Sequence, residues 1–180
     1  MVLIENDSIQ LRPIAATDRP YIQAGLSDAA VLRYYGMRFD APDAFEVQMD
    51  WYRSIQKTGS GLWLAVVDAS NGAFLGALGF SDLCETDHHA QLGYWLLPAH
   101  WGRGAMRAAL QAFVPYVFAH YRINRLWAEV ETENIASLEL LRSLRFTEEG
   151  IHRECEHRDG RYISVAHFSL LRRELGNALL

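Results

Sequence analysis

The most constraining stretch of the chain reads Leu92-Gly93-Tyr94-Trp95-Leu96-Leu97-Pro98-Ala99-His100-Trp101-Gly102-Arg103-Gly104-Ala105-Met106. An apolar strand here leads into a short loop containing Gly102-Arg103-Gly104, and a helix-forming run follows over 104–121. Glycine lets a ligand come close to the backbone, and the first turn of a helix presents N–H groups that have no partner within the helix. Strand, glycine loop and helix start, in that order, build an anion site. A second unit of the same kind follows: Glu129-Val130-Glu131-Thr132-Glu133-Asn134-Ile135-Ala136-Ser137 leaves a strand and opens a helix with Asn and Ser. Two such units point to an α/β chain that holds a phosphate-bearing ligand beside an acid/base pair.

The remaining pattern fills in around them. Ile9-Gln10-Leu11-Arg12-Pro13-Ile14 alternates with period two and opens as a strand. Thr17 is placed to cap a helix to about residue 27, with Asp18 and Pro20 in its first turn. A short helix over 28–34 and a third over 40–57 follow, the last closed by Gly59-Ser60-Gly61. Strands over 62–67 and 74–80 flank Ser70-Asn71-Gly72, a hairpin signal. Residues 90–97 are apolar on both faces, as a central strand is. Pro115 lies within the helix over 104–121 and predicts a kink there. A strand over 126–132, a helix over 134–144 and two strands around Arg158-Asp159-Gly160-Arg161 complete the order β-α-α-α-β-β-β-α-β-α-β-β. This is an α/β mixture, antiparallel in front with crossover connections behind.

At 180 residues, half of them apolar, the chain fits one domain spanning 1–180. A net charge of -5 argues against non-specific nucleic-acid binding and leans the partner towards a small molecule or a neutral or basic protein segment. Cys84 and Cys155 lie far apart and outside any C-x-x-C pattern, so a reducing, cytoplasmic setting is expected. The N-terminal residues lack a basic segment followed by an apolar core, and no secretion signal is expected. No apolar run approaches the roughly 20 residues that span a bilayer. His88-His89 has no third residue at metal-ligand spacing, and no metal site is expected.

Leu11-Arg12-Pro13, Gly93-Tyr94-Trp95-Leu96, Trp101-Gly102-Arg103-Gly104, Asn134-Ile135-Ala136-Ser137 and Asp159-Gly160-Arg161 occur in an order and spacing that resemble the GNAT N-acetyltransferase superfamily. More narrowly they resemble its ribosomal-protein N-terminal acetyltransferase, RimJ/RimL-like, branch, and the resemblance covers nearly the whole chain. It implies a central mixed, splayed β-sheet of about seven strands flanked by helices, with acetyl-CoA where the strands ending near Leu97 and Thr132 part. The pyrophosphate would lie on backbone N–H groups of Trp101, Gly102, Arg103, Gly104, Ala105, Met106 and Arg107. The pantetheine would run along Trp95, Leu96 and Leu97 as an added strand. The implied partner is an amine acceptor, a protein N-terminus or a small molecule, with no nucleic acid and no membrane; the protein would be a monomer or homodimer. A dinucleotide fold is the rival for the glycine loop, but the third glycine of that motif is missing.

Three positions depart from the family pattern. Met106 stands where Gly or Ala is common, which is compatible with binding if its side chain points away from the loop backbone. Gln91 replaces a frequent Glu, and a neutral amide cannot act as a base. Arg145 replaces the Gly of a Leu-Gly-Phe sequence; if that glycine closes a helix in the left-handed conformation, Arg145 costs about 1 kcal/mol.

The resemblance also suggests roles. Asn134 is either a pantetheine contact or simply the N-cap of the helix it precedes. Ser137 would protonate the departing CoA thiolate, since Leu141 stands where other relatives carry Tyr; a solvated first-turn serine is the alternative. Glu129 shares a strand face with Trp127 and Glu131 and matches a general base of related N-terminal acetyltransferases. A base is needed because an alkyl ammonium is not nucleophilic, and a carboxylate between aromatics would have a raised pKa suited to the task. A solvated Glu129, with water relaying the proton, is the alternative. Of the aromatic set Tyr34, Tyr35, Trp51, Tyr52, Tyr94 and Trp95, Tyr34 and Tyr94 are the expected acceptor contacts. The expected activity is acetyl transfer from acetyl-CoA to a primary amine by direct attack on the thioester. The alternatives are a small amine as acceptor (an amino acid, polyamine or aminoglycoside), or a non-catalytic acyl-CoA-binding sensor.

Overall fold

The computed structural model describes residues 2–35 and 43–178, with side chains as far as residue 176. Its strands are β1 (Ile4–Glu5), β2 (Ile9–Pro13), β3 (Leu62–Asp68), β4 (Phe74–Cys84), β5 (His89–Leu96), β6 (Arg125–Glu131), β7 (Thr147–Arg158) and β8 (Arg161–Leu171). They form one eight-stranded sheet in the order β1-β2-β3-β4-β5-β6-β8-β7. The expected count of about seven omits β1, which pairs Ile4 with Leu11 and Glu5 with Gln10. A strand of two residues is too short to show a period-two pattern. Neighbouring strands are antiparallel except β5 and β6, which are parallel.

The helices are α1 (Arg19–Leu26), α2 (Ala29–Leu32), α3 (Ala44–Thr58), α4 (Ala105–His120), α5 (Ile135–Ser143) and α6 (Leu175–Ala178). The start of α1 and the length of α2 differ from the sequence expectation. The residue preceding α1 is Asp18, reached through a 3-10 turn over Ala16–Asp18, and Thr17 is exposed. Asp18 is buried and committed elsewhere: Arg12 Nη1 and Nη2 each donate to its carboxylate at 2.7 Å, and the Ala15 N–H donates at 2.8 Å. A buried carboxylate survives only when paired in this way. The second helix is one turn, shorter than 28–34, with Asp28 Oδ1 accepting from the Ala30 N–H. For α3, Asp40, Ala41 and Pro42 lie outside the described residues, and the described helix starts at Ala44. Helix α4 runs past Pro115 to His120.

Strand β3 shows how the sheet is buried on both faces. Leu62, Leu64 and Val66 join a core with α4 and α5, while Trp63, Ala65 and Val67 join a second core with α1 and α3. Alternate residues of a strand face opposite ways, so a strand covered by helices on both sides reads as continuously apolar. The α4 side is the larger core. Its helix buries Met106, Ala109, Leu110, Phe113, Val114, Val117 and Phe118, one face of a 3.6-residue repeat.

The parallel pair decides the shape of the molecule. Strands β5 and β6 pair only from His89–Arg125 to Gln91–Trp127. Beyond that point β5 keeps β4 as its neighbour to Leu96, and β6 keeps β8 as far as Glu131. The sheet therefore opens between Leu92–Leu96 on one side and residues 128–131 on the other.

Candidate active site

The opening becomes a cleft of ≈ 1370 Å³. One wall is β5 with the start of α4, the other is the end of β6 with the start of α5.

On the first wall, Leu97 leads through a 3-10 turn (Pro98–His100) into Gly102 and Gly104, whose φ values are +70° and +78°. Left-handed backbone at two alternate positions is the reason for glycine at both. An added Cβ at either would meet no protein atom within 4 Å, so a side chain there is opposed by backbone conformation and not by packing. The first intrahelical bond at this end is Ala108 N–H to Gly104 O at 3.0 Å, which leaves the N–H groups of Ala105, Met106 and Arg107 ahead of the ladder. The expected anion nest is one residue shorter than the sequence suggests, because the Trp101 N–H donates to Pro98 O at 3.1 Å. Met106 turns its side chain into the core, only 6% exposed, as the glycine loop requires. The loop and helix start therefore fit an anion held by backbone donors, the group that a CoA pyrophosphate supplies.

Trp95, Leu96, Trp101, Gly102, Gly104, Ala105, Met106 and Arg107 all border the cleft. Leu97 and Arg103 are not among its lining residues. Leu97 packs instead with the α1 and α3 core. The Leu96 carbonyl, one of the groups expected to meet pantetheine, accepts from Trp101 Nε1 at 2.8 Å.

On the second wall, Asn134 caps α5: its Oδ1 accepts from the Ser137 N–H at 3.2 Å. It also lines the cleft, so capping and contact with a ligand are compatible. Ser137 Oγ lies 2.6 Å from the Tyr94 hydroxyl, a hydrogen bond that spans the opening from α5 to β5. Burial pushes the Tyr94 phenol up to about 12, against the weaker downward pull of Ser137.

Glu129 lines the cleft. Its side chain is 41% exposed, and His167, its cross-strand partner on β8, brings Nδ1 to 3.6 Å of Oε1. Sequence reasoning missed His167 because cross-strand register is not visible in the sequence. Gln91 also lines the cleft.

Beyond Glu129 the wall turns ionic. Glu131 pairs with Arg158, and Glu133 pairs with Arg161 at 2.5 Å and Arg33 at 3.3 Å. The two arginines hold the Glu133 carboxyl below the usual carboxylate range, Arg161 more than Arg33. Tyr34 lines the cleft here, its hydroxyl donating to Glu133 O at 3.3 Å. A second hollow of ≈ 450 Å³ shares Glu131 and Glu133 with the cleft and continues between α2 and the β7–β8 turn.

One group lies outside the cleft lining. Cys84, Asp87 and His89, around the β4–β5 turn, bring potential metal-ligand atoms within 4.8 Å of one another. The spacing of His88-His89 does not reveal this, because the turn supplies the other two residues. Asp87 is exposed and Cys84 Sγ already bonds Asp87 Oδ2 at 3.6 Å, so the group is explained as a turn contact. Among the described residues, no helix is long and apolar enough to cross a membrane.

Comparison with known proteins agrees with this geometry. An acetyltransferase (GNAT) domain model matches residues 8–147. The uncharacterized N-acetyltransferase p20 of Bacillus licheniformis is 30% identical over 175 residues, which cover 97% of this chain and 98% of that protein. Among solved structures, the RimL ribosomal L7/L12 alpha-N-protein acetyltransferase in complex with coenzyme A superposes with a TM-score of 0.85 at 20% identity, covering 95% of this chain and 98% of its own. Spermidine N-acetyltransferase from Vibrio cholerae, in complex with CoA and spermine, gives the same TM-score of 0.85 at 20% identity, covering 96% and 100%. Both share the open mixed sheet flanked by helices.

Proposed function

This chain belongs to the acetyltransferase (GNAT) domain family, and from that premise we propose that it acetylates the α-amine of a protein N-terminus. It is an acetyl-CoA-dependent N-acetyltransferase. The observation that carries the reading is the parting of β5 and β6 beside the start of α4, with a carboxylate and a hydroxyl pair on the walls of one cleft.

The residues divide the work. The N–H groups of Gly102 to Arg107 receive the pyrophosphate of acetyl-CoA, and the edge of β5 at Trp95 and Leu96, which β6 does not pair, aligns its pantetheine arm. Acetyl-CoA supplies the activated acyl group. Glu129 takes the proton that the acceptor ammonium must lose before nitrogen attacks the thioester carbonyl. Ser137 faces the departing sulfur, and Tyr34 stands at the acceptor end.

A protein N-terminus fits the acidic wall better than a polyamine. Glu131 and Glu133 are already matched by Arg158, Arg161 and Arg33, so these two carboxylates are not open to the ammonium groups of a polyamine. The adjoining hollow offers room for the residues that follow an N-terminal amine. Cys84 and Cys155 are both free, as in a reducing, cytoplasmic compartment.

The test is CoA-thiol release with peptides beginning Ala, Ser or Met, set against spermidine, free amino acids and an aminoglycoside. We expect kcat/KM for at least one peptide to exceed that of every small amine by tenfold or more. Release with spermidine alone would move the acceptor to polyamines. Tight acetyl-CoA binding without release to any amine would favour a sensor.

A further inference from the structure

We propose that Tyr94 is a positioning residue for the leaving-group step: its hydroxyl donates to Ser137 Oγ and so turns the Ser137 proton towards the departing sulfur. The inference rests on the reading of Ser137 as the group that faces the thiolate. It assigns Tyr94, which the sequence places among acceptor contacts, to the opposite end of the reaction.

The geometry is direct. The two oxygens are 2.6 Å apart, one on the last stretch of β5 and the other in the first turn of α5, and both residues line the cleft. A serine hydroxyl has one proton and can spend it on only one acceptor. If Ser137 donated to Tyr94, nothing would remain for sulfur. A phenol is more acidic than an alkyl alcohol and is the better donor of the two, so the Tyr94 proton lies between the oxygens and the Ser137 proton is free. Burial keeps Tyr94 protonated across the working pH range, which makes it a permanent donor. The Ser137 side chain is further fixed at its backbone, where its N–H is held by Asn134 Oδ1.

The chemistry balances without a proton leaving either hydroxyl. The acceptor nitrogen loses one proton to Glu129 before it attacks; as the tetrahedral intermediate collapses the C–S bonding pair departs on sulfur and the second nitrogen proton passes to solvent. A thiol has a pKa near 8.5, far below that of an alcohol, so the thiolate accepts a hydrogen bond from Ser137 and does not take its proton. An anionic acceptor roughly doubles the strength of that bond. The benefit exists only while negative charge is developing, which is the condition for raising kcat. Leu141 is buried at 0% exposure in the α4-side core, so no phenol is available from the middle of α5. Tyr94 supplies one from the sheet.

The experiment is a double-mutant cycle. Tyr94→Phe keeps the ring and should lower kcat about tenfold with the KM for acetyl-CoA within twofold. Ser137→Ala should lower kcat by a similar or larger factor, and adding Tyr94→Phe to it should change nothing further. Losses that multiply, or a Tyr94→Phe enzyme with full turnover, would overturn the proposal. Thermal midpoints with and without acetyl-CoA verify that each variant is folded and loaded. Placing 3-fluorotyrosine at 94 gives a readout independent of folding: a stronger phenol donor should hold or raise kcat, and a fall would overturn the proposal. Full turnover in Ser137→Ala would remove the premise for Ser137 and this proposal with it. The acceptor assignment would be untouched, because it is read from peptide and polyamine selectivity.

Discussion

Glu129 projects from β6 into a cleft it shares with the hydroxyl pair, and His167 Nδ1 lies 3.6 Å from its carboxylate. If it receives the acceptor's proton, Glu129→Gln should reduce kcat/KM by about 10²- to 10⁴-fold, measured by thiol release. The acetyl-CoA-induced rise in thermal midpoint should be preserved, because Glu129 is remote from the glycine loop in sequence and lies on the other wall. Near-normal activity would transfer the role to water. Gly104 offers a second test at this scale. With φ at +78° and open space where a Cβ would go, Gly104→Ala should cost about 1–2 kcal/mol through backbone strain alone. Acetyl-CoA should also bind more weakly, since any relief of that strain turns the nest away from the anion. Unchanged affinity in a calorimetric titration would place the anion elsewhere.

Helix α5 ends in a Schellman arrangement with an unfavourable residue at its centre. Phe146 N–H donates to Leu141 O and Arg145 N–H donates to Arg142 O, each at 3.0 Å, with Arg145 at φ +64°. Arg145→Gly should stabilise the protein by about 0.5–1 kcal/mol, a rise of roughly 1–4 °C in thermal midpoint for a chain of this size. No gain in a melting experiment would show that Arg145 makes a compensating contact. Strand β7 depends on a different element contact. Arg125 on β6 donates to both oxygens of Glu149, at 2.5 and 2.6 Å, and Ser169 on β8 donates to it at 2.8 Å. Arg125 first, then Ser169, hold the Glu149 carboxyl at about 2, below its ordinary 4.5. A depressed carboxylate pKa stabilises the fold above 4.5, and that contribution is lost as pH falls towards 2. The pair is 33% and 40% exposed, so solvent screening limits it to about 1 kcal/mol or less. Glu149→Gln should lower the melting temperature at pH 7 and flatten its decline between pH 4.5 and 2. An identical pH dependence in both proteins would discount the pair.

At the scale of the molecule, the open sheet makes ligand binding and stability one equilibrium. Acetyl-CoA would fill a cleft between two halves that share only three paired positions of β5 and β6, and it binds the folded state alone. At about 100 times its dissociation constant it should add roughly 2.7 kcal/mol, or a rise of about 5–10 °C in thermal midpoint. A flat titration to millimolar acetyl-CoA would contradict the cleft as its site. The far ends of the sheet are held by contacts distant in sequence. Arg172, after β8, donates to carbonyls of Phe118, Tyr121 and Ile123 and closes the C-terminal end of α4.

The sequence by itself determined the local events. Strand alternation, the Ser70-Asn71-Gly72 and Arg158–Arg161 turns, the glycine loop before α4 and the asparagine before α5 depend on neighbours within a few residues, and each is found where the residues place it. Arg145 is legible for the same reason, because a left-handed cap is a property of one backbone position. Tertiary structure alone decided which distant groups meet. The Tyr94–Ser137 bond spans 43 residues, and Glu129 meets His167 only through strand register. Arg33, Arg158 and Arg161 reach Glu131 and Glu133 across the mouth of the second hollow. Thr17 failed as a cap because the adjacent Asp18 is buried against Arg12, a pairing no local propensity can encode. Hydrogen bonds and ion pairs between remote side chains are fixed by how the sheet twists and parts, and that geometry emerges only when both cores are packed at once.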